Sequence, residues 1–225
     1  MGLEHWFVRY SRYATVHLVR AQEGRQACGV ACSMMASCRM NKWKTVTEGM
    51  TSETETYRRI RAVTPLTAYD GTGTIERGDI ATLLNSLGMG TWTPSLVPTT
   101  AVADAIMSDA SVFQLSTVPI IVGITWNGGG GHWVMIDQVF NPFGTGHAIV
   151  NDPWDANLHV ITLTPGVQMT YNAVRPTFSF ELWGTGFADG RALDYTTPSV
   201  GYFDGHIVRC TSMSNAQRAQ HAILS

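Results

Sequence analysis

The apolar pattern of this chain changes period near Val118, and that change restricts the folds open to it. Before Val118 the apolar residues recur at helical spacing: Val30, Ala31, Met34, Met35 and Cys38 in one stretch, and Ile80, Leu83, Leu84 and Leu87, closed by Gly88, in another. A third helix starts near Thr99 or Thr100 and runs through Val102, Ala105 and Ile106. Ser52 to Glu55 has the form of a capping box ahead of Tyr57, Ile60 and Val63. After Val118 short β-rich runs take over: Pro119 to Trp126, His132 to Phe140, His147 to Asp152, His159 to Leu163, Phe178 to Trp183 and Tyr202 to Arg209. Turn signals separate them at Asn127 to Gly131 and Asn141 to Gly146, as at Asp70 to Gly73 in the first half. Residues 6–20 read as one or two short strands, with His17 a half-buried strand residue. The expected fold is α+β, a single domain over residues 1–225 with a helical part at about 22–115, an antiparallel sheet at about 116–210 and a tail at 211–225.

The chemistry centres on the first helix. Gln22 to Ala27 read as a loop that delivers Cys28 to the helix start, where unpaired backbone N–H groups and the positive end of the helix dipole favour a thiolate. Gly29 leaves room for another backbone to approach. A thiolate is useful only with a base and an oxyanion donor. Gln22, six residues before Cys28, offers a side-chain amide that could join the Cys28 N–H as a second donor. His132 opens one β run and Asp152 closes the next. If 132–140 and 147–152 pair as a hairpin, His132 lies across from residues near 152–154, while His147 falls near the turn, roughly 20 Å away at about 3.3 Å per residue. Asp152 can then orient His132. Asn151 is the rival orienter, and since adjacent strand residues face opposite ways only one of the two can serve. Trp133 is either a wall of the cleft or plain core, and His206 with Cys210 lacks an orienting group.

Gln22, Cys28-Gly-Val-Ala, Gly131-His132-Trp-Val and Asn151-Asp152-Pro153 occur in the order found in the papain-like cysteine peptidases, and the chain resembles that family from about Gln22 to Asp155. Gly78 to Gly88 and Pro119 to Gly123 match it in style. The resemblance is to the bacterial branch, which includes the peptidase domains of bacteriocin-exporting ABC transporters and the papain-like effector proteases of plant-pathogenic bacteria. It implies a two-lobed fold with the active site in the cleft between the helical and β lobes. It also implies a cysteine peptidase with Cys28 as nucleophile, His132 as base and acid, Asp152 as orienter and Gln22 in the oxyanion hole. No cofactor is implied. Many papain-like enzymes use asparagine as orienter, but Asp152-Pro153 matches the bacterial branch.

Composition removes other classes. Hydrophobic residues make up 44% of the chain and charged residues 14%, with a formal net charge of -2, so there is no electrostatic case for nucleic acid or an anionic membrane. No run of 18 apolar residues and no signal-peptide core occurs, so a protein soluble in the cytoplasm where it is made is expected; export by a dedicated secretion machine would leave no readable mark. Cys28, Cys32, Cys38 and Cys210 do not have zinc-knuckle spacing, so no metal is expected, and Cys32 reads as a small buried apolar residue. The expected partner is a protein or peptide substrate of a monomer, acting as a bacterial effector or toxin. The alternatives are transglutaminase- or deamidase-like acyl transfer by the same residues, and an inactive binding module.

Overall fold

A computed structural model describes residues 5–11, 15–24, 26–40, 56, 75–88, 90–112, 118–140, 146–172 and 200–213. The expected capping box at Ser52 to Glu55, the turn at Asp70 to Gly73, the run Phe178 to Trp183 and the tail after Met213 lie outside these residues. The fold is α+β, dominated by antiparallel strands.

An N-terminal hairpin pairs β1 (Trp6–Tyr10) with β2 (Val16–Arg20). Helix α1 (Cys28–Met40) follows, then α2 (Arg77–Ser86), β3 (Thr91–Leu96), a 3-10 turn at Thr99–Ala101 and α3 (Val102–Val112). The second half supplies β4 (Ile120–Trp126), β5 (Gly131–Phe140), β6 (Gly146–Asp152), β7 (Asn157–Leu163), β8 (Thr170–Asn172) and the long β9 (Val200–Ser212). The large sheet runs β3-β9-β4-β5-β6-β7, with β8 paired to β9 off that path. Among the described residues before Val118, β3 is the strand that the apolar spacing does not suggest. β3 escapes a pattern reading because Pro94 interrupts it, and its place at the sheet edge is where a strand proline is tolerated.

Strand alternation divides the core between the two faces of the sheet. Along β5, Trp133 and Met135 join the cluster beneath α1, α2 and the hairpin, whereas Val134 and Ile136 join the cluster capped by Val102, Ala103 and Ile106 of α3. α1 is buried all round, with Arg39 its only residue outside the buried set, which explains its run of small residues. Its end is pinned by charge. Arg39 Nε donates to Asp137 Oδ1 at 3.0 Å, and His17 Nδ1 lies 2.5 Å from Asp137 Oδ2, so His17 is a fully buried tie between β2 and β5 rather than a half-buried strand residue. Burial alone would raise the Asp137 carboxyl, but Arg39 and His17 outweigh it and hold the group below its ordinary value.

One irregularity matters for the site. Val122 pairs with Ile207 and Ile124 with Phe203, so Asp204, Gly205 and His206 together stand opposite Gly123 in a β-bulge. Gly205 takes φ +91°, and a Cβ there would overlap the Val97 carbonyl oxygen. Gly205→Ala should therefore lose about 2–3 kcal/mol from backbone strain and overlap, read as a lower urea midpoint at an unchanged m-value.

Candidate active site

Three elements converge where α1 begins. Ala31 N–H is bonded to the Ala27 carbonyl at 2.9 Å, so the N–H groups of Cys28, Gly29 and Val30 precede the helix's own ladder. Cys28 is 8% exposed and borders a cavity of about 440 Å³. Gly29 is close-packed, although by side chains rather than the backbone expected: a Cβ there would come within 2.7 Å of Ile75 Cγ1 and 3.0 Å of Trp133 Cδ1. Trp133 both walls the cavity and joins the core, and its Nε1 donates to the Ile75 carbonyl at 3.3 Å.

His132 is the second residue of β5 and lines the same cavity. Met135 pairs with Asn151 and Ile136 with Val150, which makes Asp152 the diagonal same-face neighbour of His132. His132 Nε2 donates to Asp152 Oδ1 at 2.7 Å, and Cys28 is near enough for its sulfur to bear on the ring's charge. With Nε2 given to Asp152, Nδ1 is the nitrogen left for Cys28. Asn151 points the other way: its Nδ2 donates to the Leu18 carbonyl at 3.4 Å. Between the adjacent candidates the structure brings Asp152, not Asn151, to His132.

Burial by itself would strip His132 of its proton. The charge and hydrogen bond of Asp152, together with Cys28, outweigh that and push the imidazole up to about 10. Burial likewise opposes the Asp152 charge, and His132 chiefly reverses this, holding the carboxyl at about 2. Trp126 stacks on the imidazole at 5.2 Å between centroids, and Trp154 meets it edge-on at 6.0 Å, so water is kept from the ion pair.

Sequence reading missed the groups behind Asp152. Tyr171 donates its hydroxyl to Asp152 Oδ2 at 2.6 Å, and the Trp154 N–H donates to Oδ1 at 2.8 Å. Beside them His159 Nε2 donates to Asp155 Oδ2 at 2.7 Å. Asp155-to-His159 spacing was a readable signal for that pair, whereas Tyr171 sits on a three-residue strand with no pattern around it. Asp152, Asp155 and His159 bring ligand-type atoms within 4.8 Å of one another. Their carboxylate oxygens already accept from His132, Trp154, Tyr171, Asn157 and His159, so the set reads as a hydrogen-bond network rather than a metal cage.

Cys28 and His132 line the cavity, Asp152 stands behind His132, and Gln22 is not on the cavity wall. Gln22 is 2% exposed, its Nε2 donates to the Gly24 carbonyl at 2.8 Å, and its backbone N–H donates to the Pro153 carbonyl at 2.8 Å. The glutamine that lines the cavity is Gln26. Among the cysteines only Cys28 lines it. Burial, aided by the charges of Cys28 and Asp152, pushes the Cys32 thiol well above its ordinary value, and its Sγ donates to the Trp133 carbonyl at 3.3 Å, as suits a core residue. His206 also lines the cavity, with Asp204 Oδ2 4.0 Å from its Nδ1, while Cys210 donates to the Ser212 carbonyl. The carboxylate that seemed missing beside His206 is therefore present, but its partner thiol is not in the cavity. No helix among the described residues is long and apolar enough to cross a membrane. Compared with known protein families and with curated proteins, the chain matches no family and no curated protein.

Proposed function

We propose that the chain is a papain-like cysteine peptidase of two-lobed plan, cleaving a peptide bond in the cavity where α1 meets β5. The observation that carries this reading is one imidazole shared between Cys28, at a helix start, and a buried carboxylate, Asp152. A raised imidazole pKa and a helix N-terminus both favour the thiolate–imidazolium pair. The thiolate attacks the scissile carbonyl carbon, and the resulting oxyanion is met by the Cys28 N–H. Collapse breaks the C–N bond, His132 protonates the leaving amine, and the acyl group stays on sulfur as a thioester. His132 then takes a proton from water, whose oxygen attacks the thioester and releases the acid and the thiolate. Asp152 holds the tautomer throughout. The second oxyanion donor is a glutamine, Gln22 by its spacing or Gln26 by its place on the cavity, and the alanine variant that lowers kcat about 10²–10³-fold identifies it.

The test is the rate of Cys28 alkylation by iodoacetamide, with each cysteine peptide followed by mass spectrometry. Cys28 should be labelled far faster than Cys32, Cys38 and Cys210, and His132→Ala should remove that advantage. Slow labelling of Cys28 in the native chain would overturn the reading. Above pH about 10, where His132 loses its proton, turnover of a peptide substrate should fall because the leaving amine has no acid.

A further inference from the structure

We propose that the cavity beside Cys28 is a subsite for a basic side chain, lysine or arginine, of the peptide substrate, with Asp204 as its counter-charge. This rests on the reading of Cys28 as the nucleophile. Two carboxylates, Asp204 and Glu76, line the cavity, and among the described residues no Lys or Arg does. Gly123, Gly130 and Gly131 line the same space and leave it without side-chain obstruction.

Asp204 is placed there by the fold and held before any substrate arrives. The bulge opposite Gly123 turns it inward, and Gly123 is what admits it, since a Cβ at that position would stand 2.5 Å from Asp204 Oδ1. Its Oδ1 accepts the His206 N–H at 3.0 Å and its Oδ2 the Thr125 hydroxyl at 3.2 Å. Each oxygen has a second lone-pair direction, enough for one further N–H from a guanidinium or ammonium group. The carboxylate is only 18% exposed, so a bound cation meets it with little screening, and a fixed acceptor loses little entropy on binding. His206 stacks on Trp133 at 6.2 Å and 25°, forming a flat wall for the alkyl stem or the guanidinium plane. An acidic side chain in the same place would face like charge.

The test compares the rates at which arginyl chloromethyl ketone and its citrullyl counterpart, equal in length but uncharged, alkylate Cys28. In both, the thiolate sulfur displaces chloride from the chloromethyl carbon and a thioether forms. The arginyl reagent should react at least about tenfold faster at low salt. That ratio should fall toward one in Asp204→Asn and in the native chain near about 1 M salt, where the charges are screened. Equal rates on a native chain that iodoacetamide labels rapidly overturn the subsite and leave the nucleophile standing. Slow labelling of Cys28 by iodoacetamide overturns both. A preference that survives both Asp204→Asn and high salt overturns Asp204 as the counter-charge, and if that variant does not fold, the salt series on the native chain decides.

Discussion

Cys28→Ala is expected to abolish peptide hydrolysis, lowering kcat/KM by at least about 10⁴-fold, while the chain still folds. Cys28 is the one cysteine on the cavity wall, so no neighbouring thiol can replace it. Its side chain borders open space, and losing one sulfur there leaves no closed void, so the stability change should stay within about 1 kcal/mol. Cys32→Ala is the informative contrast. Cys32 is fully buried within α1 and faces the Trp133 carbonyl, so its loss should lower stability and leave Cys28 labelling fast. Peptide-library cleavage, far-UV circular dichroism and urea unfolding on both variants separate the roles. Full hydrolysis by Cys28→Ala would end the peptidase reading.

Asp152→Ala should damage both activity and stability. The imidazole would lose the acceptor that fixes its tautomer, for a drop in kcat of about 10³–10⁴-fold. The fold would lose the acceptor of His132, Tyr171 and the Trp154 N–H at once, and removing one partner of a buried pair costs about 3–5 kcal/mol. The pH dependence follows from the two shifts. The Asp152 carboxyl is held down from 3.8 to about 2, so its contribution is present above 3.8 and lost as pH falls through about 2. The His132 imidazole is raised from 6.5 to about 10, so its contribution is present below 6.5 and lost as pH rises through about 10. The stability gap between native chain and variant should therefore be widest between those ordinary values and close on either side. Urea midpoints at several pH values measure it, and a gap that does not vary with pH would mean that the carboxylate acts by packing alone.

The parts of this arrangement that could be read in the chain are those set by local period. The stripe Val30, Ala31, Met34, Met35 placed Cys28 at a helix start, and counting along two runs about the turn after Phe140 placed Asp152 near His132. Both are consequences of 3.6- and 2-residue repeats, which need no knowledge of distant chain. What escaped is non-local or irregular. β3 is a strand because β9 lies beside it, in spite of Pro94. The inward turn of Asp204 and His206 follows from a bulge that only the register with β4 creates. Tyr171 reaches Asp152 from a strand of three residues, and whether Gln22 or Gln26 stands at the cavity depends on the path of a short loop, not on spacing from Cys28.

The placement of β9 bears on when the protein can act. It lies between β3 and β4 and also carries β8, yet it is the last of the described strands to be synthesised. A chain still emerging from the ribosome would already contain Cys28, His132 and Asp152, but β3 and β8 would have no partner and the wall formed by Asp204 and His206 would not exist. Such non-local pairing is slow and completes only after its last member is available. The fold thus delays the finished cavity until nearly the whole described chain has been made, so that, under the proposed function, Cys28 would meet no substrate in a half-built site.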